Sequence, residues 1–176
     1  EQINRNHPAA GMLLKRLGAT FRLNDSGQRG GERVLPFDPL PRLIGSSDWD
    51  HLQRGLIQRL EAIDLFLADV YSEQAILRDG VIPRGEVESS QGWRPQLRGF
   101  RPPLGKWCQI SGLDLVRDGL GTWRVLEDNL RCPSGVAYFL ENRRVMKRMF
   151  PSLFNGRTVQ PIDSYPSQLL QDRKST

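Results

Sequence analysis

The feature that most limits the possible folds of this chain is a tight turn between two strand-like segments. Residues 106–116 (KWCQISGLDLV) and 122–129 (TWRVLEDN) are both predicted to be strands. Only the five residues RDGLG (117–121) join them. A connection this short can link only antiparallel neighbours. The sequence therefore predicts a β-hairpin here.

The register of this hairpin decides which side chains share a face. If the turn is centred between Leu120 and Gly121, Asp114 lies opposite Glu127. Asn129 follows two residues after Glu127, and alternate residues of a strand point to the same face. The prediction is that Asp114, Glu127 and Asn129 converge on one side of the sheet.

Two carboxylates and an amide oxygen on one face suit a hard cation. Mg²⁺ prefers such ligands and keeps waters and substrate phosphates in its other positions. Like charges opposite one another on a sheet also repel, and a cation between Asp114 and Glu127 would remove that cost. Two other readings stay open from spacing alone. The acids could form a solvent-facing patch, or one of them could pair with Arg124 or Arg131.

Other segments predict the remaining elements. A helical stripe of apolar residues runs from Trp49 to Val70, which predicts a long amphipathic helix from an N-cap at Ser47 to about Leu77. Further helices are predicted at 8–17, 84–90 and 136–150, and a second hairpin at 19–24 and 33–37. The tail, residues 151–176, is predicted to be loop-rich with one helical turn near Ser167–Leu170.

Together these segments predict a single α+β unit over residues 1–176. Its sheet is expected to be mixed or antiparallel, with the long amphipathic helix packed on it and the helix at 136–150 alongside.

Composition narrows the class of partner. The net charge is +5 and the pI is about 9.7, without a lysine-rich tract. Such a mild excess suits anionic small molecules and argues against nucleic-acid binding. No apolar run approaches the ~20 residues that a membrane span needs. The two cysteines, Cys108 and Cys132, have no metal or disulfide spacing, so a reducing cytoplasm is expected.

The run ISGLDLVRDGLGTWRVLEDNLRCPSGVAYFLENRRVMKRMFP closely resembles the ATP-grasp enzymes of the circularly permuted type. The segments RVLPFDPLPRLI (33–44), LQRGLIQRLEAIDLFLADVYSEQAILRDGVIP (52–83) and PIDSYPSQLL (161–170) agree with it. The resemblance covers about residues 8 to 170, and LEDNLRxPSG is its most specific stretch.

This resemblance implies a chemistry. Such enzymes hold one or two Mg²⁺ ions with an Asp on one strand and a Glu and an Asn on the next. Asp114, Glu127 and Asn129 match that pattern in order and spacing. The implied reaction is ATP-dependent ligation of a small carboxylate, such as an amino acid or peptide, to an amine through an acylphosphate. The metals neutralise charge in the loose transition state.

Residues after the strand at 122–129 are expected to bind phosphate. Arg131 could hold the γ-phosphate or the acylphosphate by a bidentate contact, or it could pair with Glu127 or Asp128. Ser134 and Gly135 lie at the start of the next helix, where backbone amides favour anions, although Ser134 could equally be an ordinary N-cap.

The sequence departs from the family pattern at one place. Many ATP-grasp enzymes carry an Arg two residues before the metal Asp, whereas this chain has Gly112 there. Arg131, or Arg117 just downstream, is the candidate substitute.

Half of the expected site is not visible in the sequence. The glycine-rich phosphate loop and paired lysines that hold the nucleotide in the resembling enzymes are missing. We therefore expect the chain to be the N-terminal, metal-binding part of a longer ligase, inactive alone, with the other half in a longer chain or a partner. The alternative is a non-catalytic binding or assembly module built on the same fold.

Overall fold

The computed structural model describes the backbone of residues 2–25 and 28–175 and the side chains of residues 8–21 and 31–172. The chain forms two compact units. The first unit combines the residues before Ile44 with those after Pro133, and the second unit is Ile44–Pro133.

Helices and two short sheets build these units, so the predicted α+β class is confirmed. The helices are α1 (Gln2–Arg16), α2 (Ser46–Val70), α3 (Ala75–Arg78), α4 (Arg84–Glu88), α5 (Val136–Met149) and α6 (Tyr165–Ser175). The strands are β1 (Thr20–Asp25), β2 (Gln28–Val34), β3 (Gly112–Arg117) and β4 (Trp123–Asn129). Within the described backbone, the strands form two antiparallel hairpins, β1–β2 and β3–β4, which do not join into one sheet.

The first unit is built on α1 and α5. One buried cluster of this unit consists of small and aliphatic side chains, namely Ala10, Leu14, Ala19 and Val145. The Tyr138 hydroxyl donates a hydrogen bond of 2.9 Å to the Thr20 carbonyl, which ties α5 to β1. Larger side chains, including Phe37, Tyr138 and Met149, pack against this cluster, and Phe150 after α5 is buried.

The elements of the first unit differ from the prediction in their bounds. Helix α1 begins at Gln2 with Pro8 inside it, although a proline usually stands in the first turn of a helix. Strand β2 begins at Gln28, within the segment that was predicted to be the turn. The tip between β1 and β2, residues 26–27, lies outside the described residues.

The tail is more regular than predicted. Helix α6 covers Tyr165–Ser175, where a single turn near Ser167–Leu170 was expected. Ile162, Tyr165 and Leu169 are half-buried at steps of three and four residues. That spacing is helical, but three apolar positions are too few to predict a long helix from the sequence. The expectation of a loop-rich tail is therefore wrong for residues 165–175.

The long helix α2 begins and ends differently from the prediction. Its N-cap is Gly45, with no side-chain cap hydrogen bond, and it ends at Val70, where one helix to Leu77 was expected. The Asp69 carboxylate accepts hydrogen bonds of 2.9 Å from the backbone amides of Ala75 and Ile76. This side chain starts the separate helix α3, because it satisfies amides that a continuous helix would have bonded internally.

Strand β3 starts six residues later than predicted. The Asp64 carboxylate of α2 accepts hydrogen bonds of 3.0 Å from the amides of Trp107 and Cys108. The Trp107 ring stacks on Tyr71, whose other face stacks on Trp93, with ring centroids 4.9 Å apart in each pair. These contacts hold the segment before β3 against α2, so its amides are not free to join a strand ladder.

The turn between β3 and β4 is organised by Asp118. Its carboxylate accepts hydrogen bonds from the amides of Thr122 (2.8 Å) and Leu120 (3.0 Å) and from Nε of Arg124 (3.1 Å). The Thr122 amide first, and Arg124 next, hold the pKa of Asp118 below its ordinary value of 3.8. This pattern is an Asx-type turn, which explains why RDGLG reverses the chain.

We expect this turn to make stability depend on pH in acid. Because the pKa is lowered on folding, Asp118 stabilises the fold above about pH 3.8, and this contribution disappears as the pH falls through the folded-state pKa. Asp118→Ala should therefore lower the free energy of unfolding at pH 7 but much less at pH 2. Urea denaturation at both pH values measures this, and an equal loss at both would contradict it.

Candidate metal and phosphate site

The register of the β3–β4 hairpin confirms one predicted pairing. Asp114 pairs with Glu127, and Gly112 pairs with Asn129. The reason differs from the prediction, however. Nearer the turn, Arg117 pairs with Trp123, so the turn is centred on Leu120, and a register shift follows between Asp114 and Leu115.

The shift is a β-bulge at Leu126. Leu115 pairs with Val125 and Asp114 with Glu127, which leaves Leu126 as the extra residue of β4. In an unbroken ladder Leu126 would oppose Asp114, and Glu127 would point to the other face. The bulge therefore brings Glu127 onto the face of Asp114.

The two faces of the hairpin differ in character. Leu113, Leu115, Trp123, Val125 and Asp128 are half-buried on the face towards α2. The outer face carries Asp114 and Glu127, both exposed, with Asn129 half-buried beyond them. Side chains of directly paired residues have Cβ atoms about 5 Å apart, which is close enough for a shared cation.

The candidate ligands have no protein partner among the described residues. Asp114, Glu127 and Asn129 make no side-chain hydrogen bond or ion pair there, whereas the other two hairpin acids are both paired: Asp118 with Arg124 and Asp128 with Arg59. The alternative in which Arg124 or Arg131 neutralises Asp114 or Glu127 is therefore not observed. The solvent-facing acidic patch remains the competing reading.

Asp128 lies between Glu127 and Asn129 but points to the opposite face. Its two carboxylate oxygens accept hydrogen bonds from Nε (2.7 Å) and Nη2 (2.6 Å) of Arg59 on α2. The hydrogen bond from Arg59, ahead of its charge, holds the pKa of Asp128 below 3.8. Asp128 therefore stays ionised and anchored at neutral pH. No sequence pattern indicated this pair, because its members lie far apart along the chain.

The segment after β4 folds back over the hairpin at Gly112. A Cβ atom added to Gly112 would lie 2.8 Å from Cβ of Pro133 and 3.8 Å from Cβ of Asn129. The first distance is shorter than van der Waals contact allows, so no larger residue fits there without moving Pro133. An arginine at position 112 would therefore clash with the proline ring unless Pro133 moved.

The two candidate substitutes for that arginine have different surroundings. Nε of Arg117 donates to the Gly121 carbonyl (2.8 Å), and its guanidinium lies 5.4 Å from the Trp123 ring centroid. Arg131 is exposed and makes no hydrogen bond or ion pair with any described residue. Of the two, only Arg131 has a guanidinium available for an anion.

Ser134 and Gly135 precede α5 in the first unit. The N-cap of α5 is Gly135, with φ of 102°, and no side chain caps the helix. The reading of Ser134 as an ordinary N-cap is therefore wrong. Glycine adopts this left-handed conformation without the strain that a Cβ would add. Uncapped backbone amides at the start of a helix can still bind an anion by donating hydrogen bonds to it.

The two cysteines have different surroundings. Burial first, and the charge of Asp64 second, raise the pKa of Cys108, which disfavours its thiolate. Cys132, between Arg131 and Pro133, is exposed.

The donor set fits a hard divalent cation with open positions. In the part of the chain that the structure describes, no three His, Cys, Asp or Glu side chains gather into a metal-binding group. The hairpin face instead supplies two carboxylates and one amide oxygen. Such a set leaves positions for water and phosphate, as Mg²⁺ sites that bind nucleotides do. The three residues as ligands remain a prediction, taken up below.

Comparison with known families identifies the fold. The sequence matches the model of circularly permuted ATP-grasp type 2 over residues 41–175. The chain belongs to this family.

Several curated proteins are similar to the chain. An uncharacterized protein from Synechocystis sp. is 50% identical over 171 residues, which is 97% of this chain and 35% of that protein. An uncharacterized Mycobacterium tuberculosis protein is 48% identical, covering 88% of this chain and 27% of its own length. "Putative glutamate--cysteine ligase 2-3" from Frankia alni is 45% identical, covering 86% of this chain and 17% of its own length. The chain spans about a third or less of these relatives.

A search of the described helices for a candidate membrane span found none with enough length and apolar character.

Proposed function

We propose that this chain supplies the metal-binding face of an ATP-dependent carboxylate–amine ligase. The observation that carries the proposal is the pairing of Asp114 with Glu127, with Asn129 on the same face, in side chains that no group of the described residues neutralises. Membership of the ATP-grasp family supports it. The relative from Frankia alni, named as a ligase, supports the same reaction class.

Each residue has a role in this proposal. Asp114, Glu127 and Asn129 would hold one or two Mg²⁺ ions, which neutralise the negative charge of the ATP phosphates. Arg131 would bind the γ-phosphate, or the phosphate of the acylphosphate, through its paired N–H donors. The backbone amides after Ser134 and Gly135 would bind a further phosphate oxygen.

The reaction proceeds in two transfers. A substrate carboxylate attacks the γ-phosphorus and ADP leaves, giving an acylphosphate. The amine then attacks the acyl carbon and phosphate leaves, giving the amide. The substrates would be small carboxylates and amines of the amino-acid or peptide type, and the nucleotide-holding half of the site would come from a longer chain or a partner.

The test is ADP release by a protein that contains both this chain and the nucleotide-holding half, supplied with MgATP and pairs of amino acids, starting with glutamate and cysteine. We expect release that requires Mg²⁺ and the carboxylate substrate and that is lost in Asp114→Asn. ADP release that persists in Asp114→Asn would contradict the assigned ligand. Metal-dependent ATP binding without ADP release, in a protein that contains both halves, would instead support the binding-module alternative.

A further inference from the structure

We propose that Arg59 is the positioning residue of the metal face, acting through Asp128. The inference rests on the proposed function, because it concerns how the same ligands are held. Arg59 does not reach the outer face itself, since it contacts Asp128 from the α2 side of the hairpin.

Strand geometry connects the two faces. Asp128 stands between Glu127 and Asn129, and successive side chains of a strand point to opposite faces. When the Asp128 carboxylate is fixed, the pleat at its Cα is fixed as well. The contact on the α2 side therefore also fixes the directions in which the Glu127 and Asn129 side chains project from the outer face.

The end of β4 needs such an anchor because its ladder is short and interrupted. Beyond the bulge at Leu126, only three pairs remain, from Asp114–Glu127 to Gly112–Asn129. A bulge disrupts the ladder locally and increases the twist of its strand. The strand pairing between the turn and the bulge therefore does little to hold the end of β4, residues 127–129, in a fixed position.

Apolar packing does not replace the anchor. A groove of about 500 Å³ separates α2 from the inner face of the hairpin. Its lining includes Leu52 and Leu56 of α2 and Leu115, Trp123 and Val125 of the hairpin. The Trp123 indole N–H is buried and has no acceptor among the described residues. The hairpin thus lies loosely over α2 along this stretch.

The contact itself is suited to fixing a direction. Two nearly parallel hydrogen bonds join the guanidinium to both carboxylate oxygens, and this fork geometry restricts rotation as well as distance. The Asp128 side chain is only 20% exposed, although Arg59 is 46% exposed. Exposed ion pairs contribute little to stability, so the consequence should be seen in the ligands more than in the melting temperature.

The test compares Mn²⁺ affinity, measured by electron paramagnetic resonance on the full chain, among variants of α2 and β4. We expect Arg59→Gln and Asp128→Asn to weaken Mn²⁺ binding about 10-fold, the scale typical of groups that orient metal ligands. Arg59→Lys keeps the charge without the fork and should also weaken binding. Arg54→Gln is the matched control, because Arg54 is exposed on the same helix and has no partner among the described residues.

Hydrogen exchange provides a readout that needs no metal. The amides of residues 127–129 should exchange faster in Arg59→Gln than in the wild type, and Arg54→Gln should leave them unchanged. Slow exchange in Arg59→Gln would overturn the inference. Faster exchange with unchanged Mn²⁺ affinity would also overturn it, since the anchor would then be structural only.

The remaining outcomes separate this inference from the proposed function. Wild-type Mn²⁺ affinity in Arg59→Lys, or an equal loss in Arg54→Gln, would show a charge effect and overturn the positioning role alone. Absence of Mn²⁺ binding in the wild type, or binding that survives in Glu127→Gln, would overturn the proposed site and with it the positioning of its ligands.

Discussion

Glu127→Gln is expected to weaken the binding of Mg²⁺ or Mn²⁺ at least 100-fold, roughly 2.7 kcal/mol. The substitution keeps the size of the side chain but removes one of two negative charges from the outer hairpin face. At about 4 Å and an effective dielectric constant near 20, one unit charge contributes about 4 kcal/mol to a charge pair. Calorimetric titration of the metal, alone and with ATP, measures the loss.

The same variant should make the metal-free protein slightly more stable. Asp114 and Glu127 are directly paired like charges, and such pairs destabilise a sheet by about half a kcal/mol. Loss of metal binding together with equal or higher stability excludes unfolding as the cause. Glu61→Gln is the matched control, since Glu61 is exposed on α2 and has no partner among the described residues. Unchanged metal affinity in Glu127→Gln would contradict the assigned ligand.

Gly112→Ala is expected to destabilise the fold by about 1–2 kcal/mol, against the usual direction of a glycine-to-alanine change in a strand. The added methyl group would lie 2.8 Å from Cβ of Pro133, an atom of a rigid ring that cannot rotate away. The segment that carries Arg131 must then shift outward. ATP binding should weaken together with stability, because Arg131 would leave the site.

Two further variants test whether the contact with Pro133 causes the loss of stability. Gly112→Ala combined with Pro133→Gly removes the clashing atom, so it should recover part of the stability that Gly112→Ala loses. Gly119→Ala is the control, since nothing lies within 4 Å of an added Cβ at that turn position. Urea denaturation gives the free energies of unfolding, and equal effects at positions 112 and 119 would contradict the role of Pro133.

Local patterns in the sequence were sufficient to predict the class of fold and the presence of most helices and strands. The stripe from Trp49 to Val70 predicted α2, and the short connection at 117–121 predicted the hairpin. The order and spacing of Asp114, Glu127 and Asn129 carried the resemblance to the ATP-grasp family. These features depend on neighbours in the chain, so the sequence alone determines them.

Hydrogen bonds between side chains and backbone amides decided where some elements begin and end. The Asp64 carboxylate accepts hydrogen bonds from the amides of residues 107–108, so these residues do not join the predicted strand. The Asp69 carboxylate accepts hydrogen bonds from the amides of residues 75–76, where the predicted long helix is interrupted. Each carboxylate satisfies backbone amides that local propensity assigns to regular structure. A sequence pattern cannot reveal which acid reaches which amide, because that depends on how the chain folds back.

The sequence by itself determined that a hairpin carries an Asp, a Glu and an Asn at the spacing of a metal site. Only the tertiary structure decided how they reach one face. The turn is centred on Leu120, so an unbroken ladder would have turned Glu127 inward, and the bulge at Leu126 corrects its direction. The contacts of Gly112 with Pro133 and of Arg59 with Asp128 shape the same site. A strand has a period of two, so one extra residue reverses every face beyond it, and only long-range packing fixes where that residue is placed.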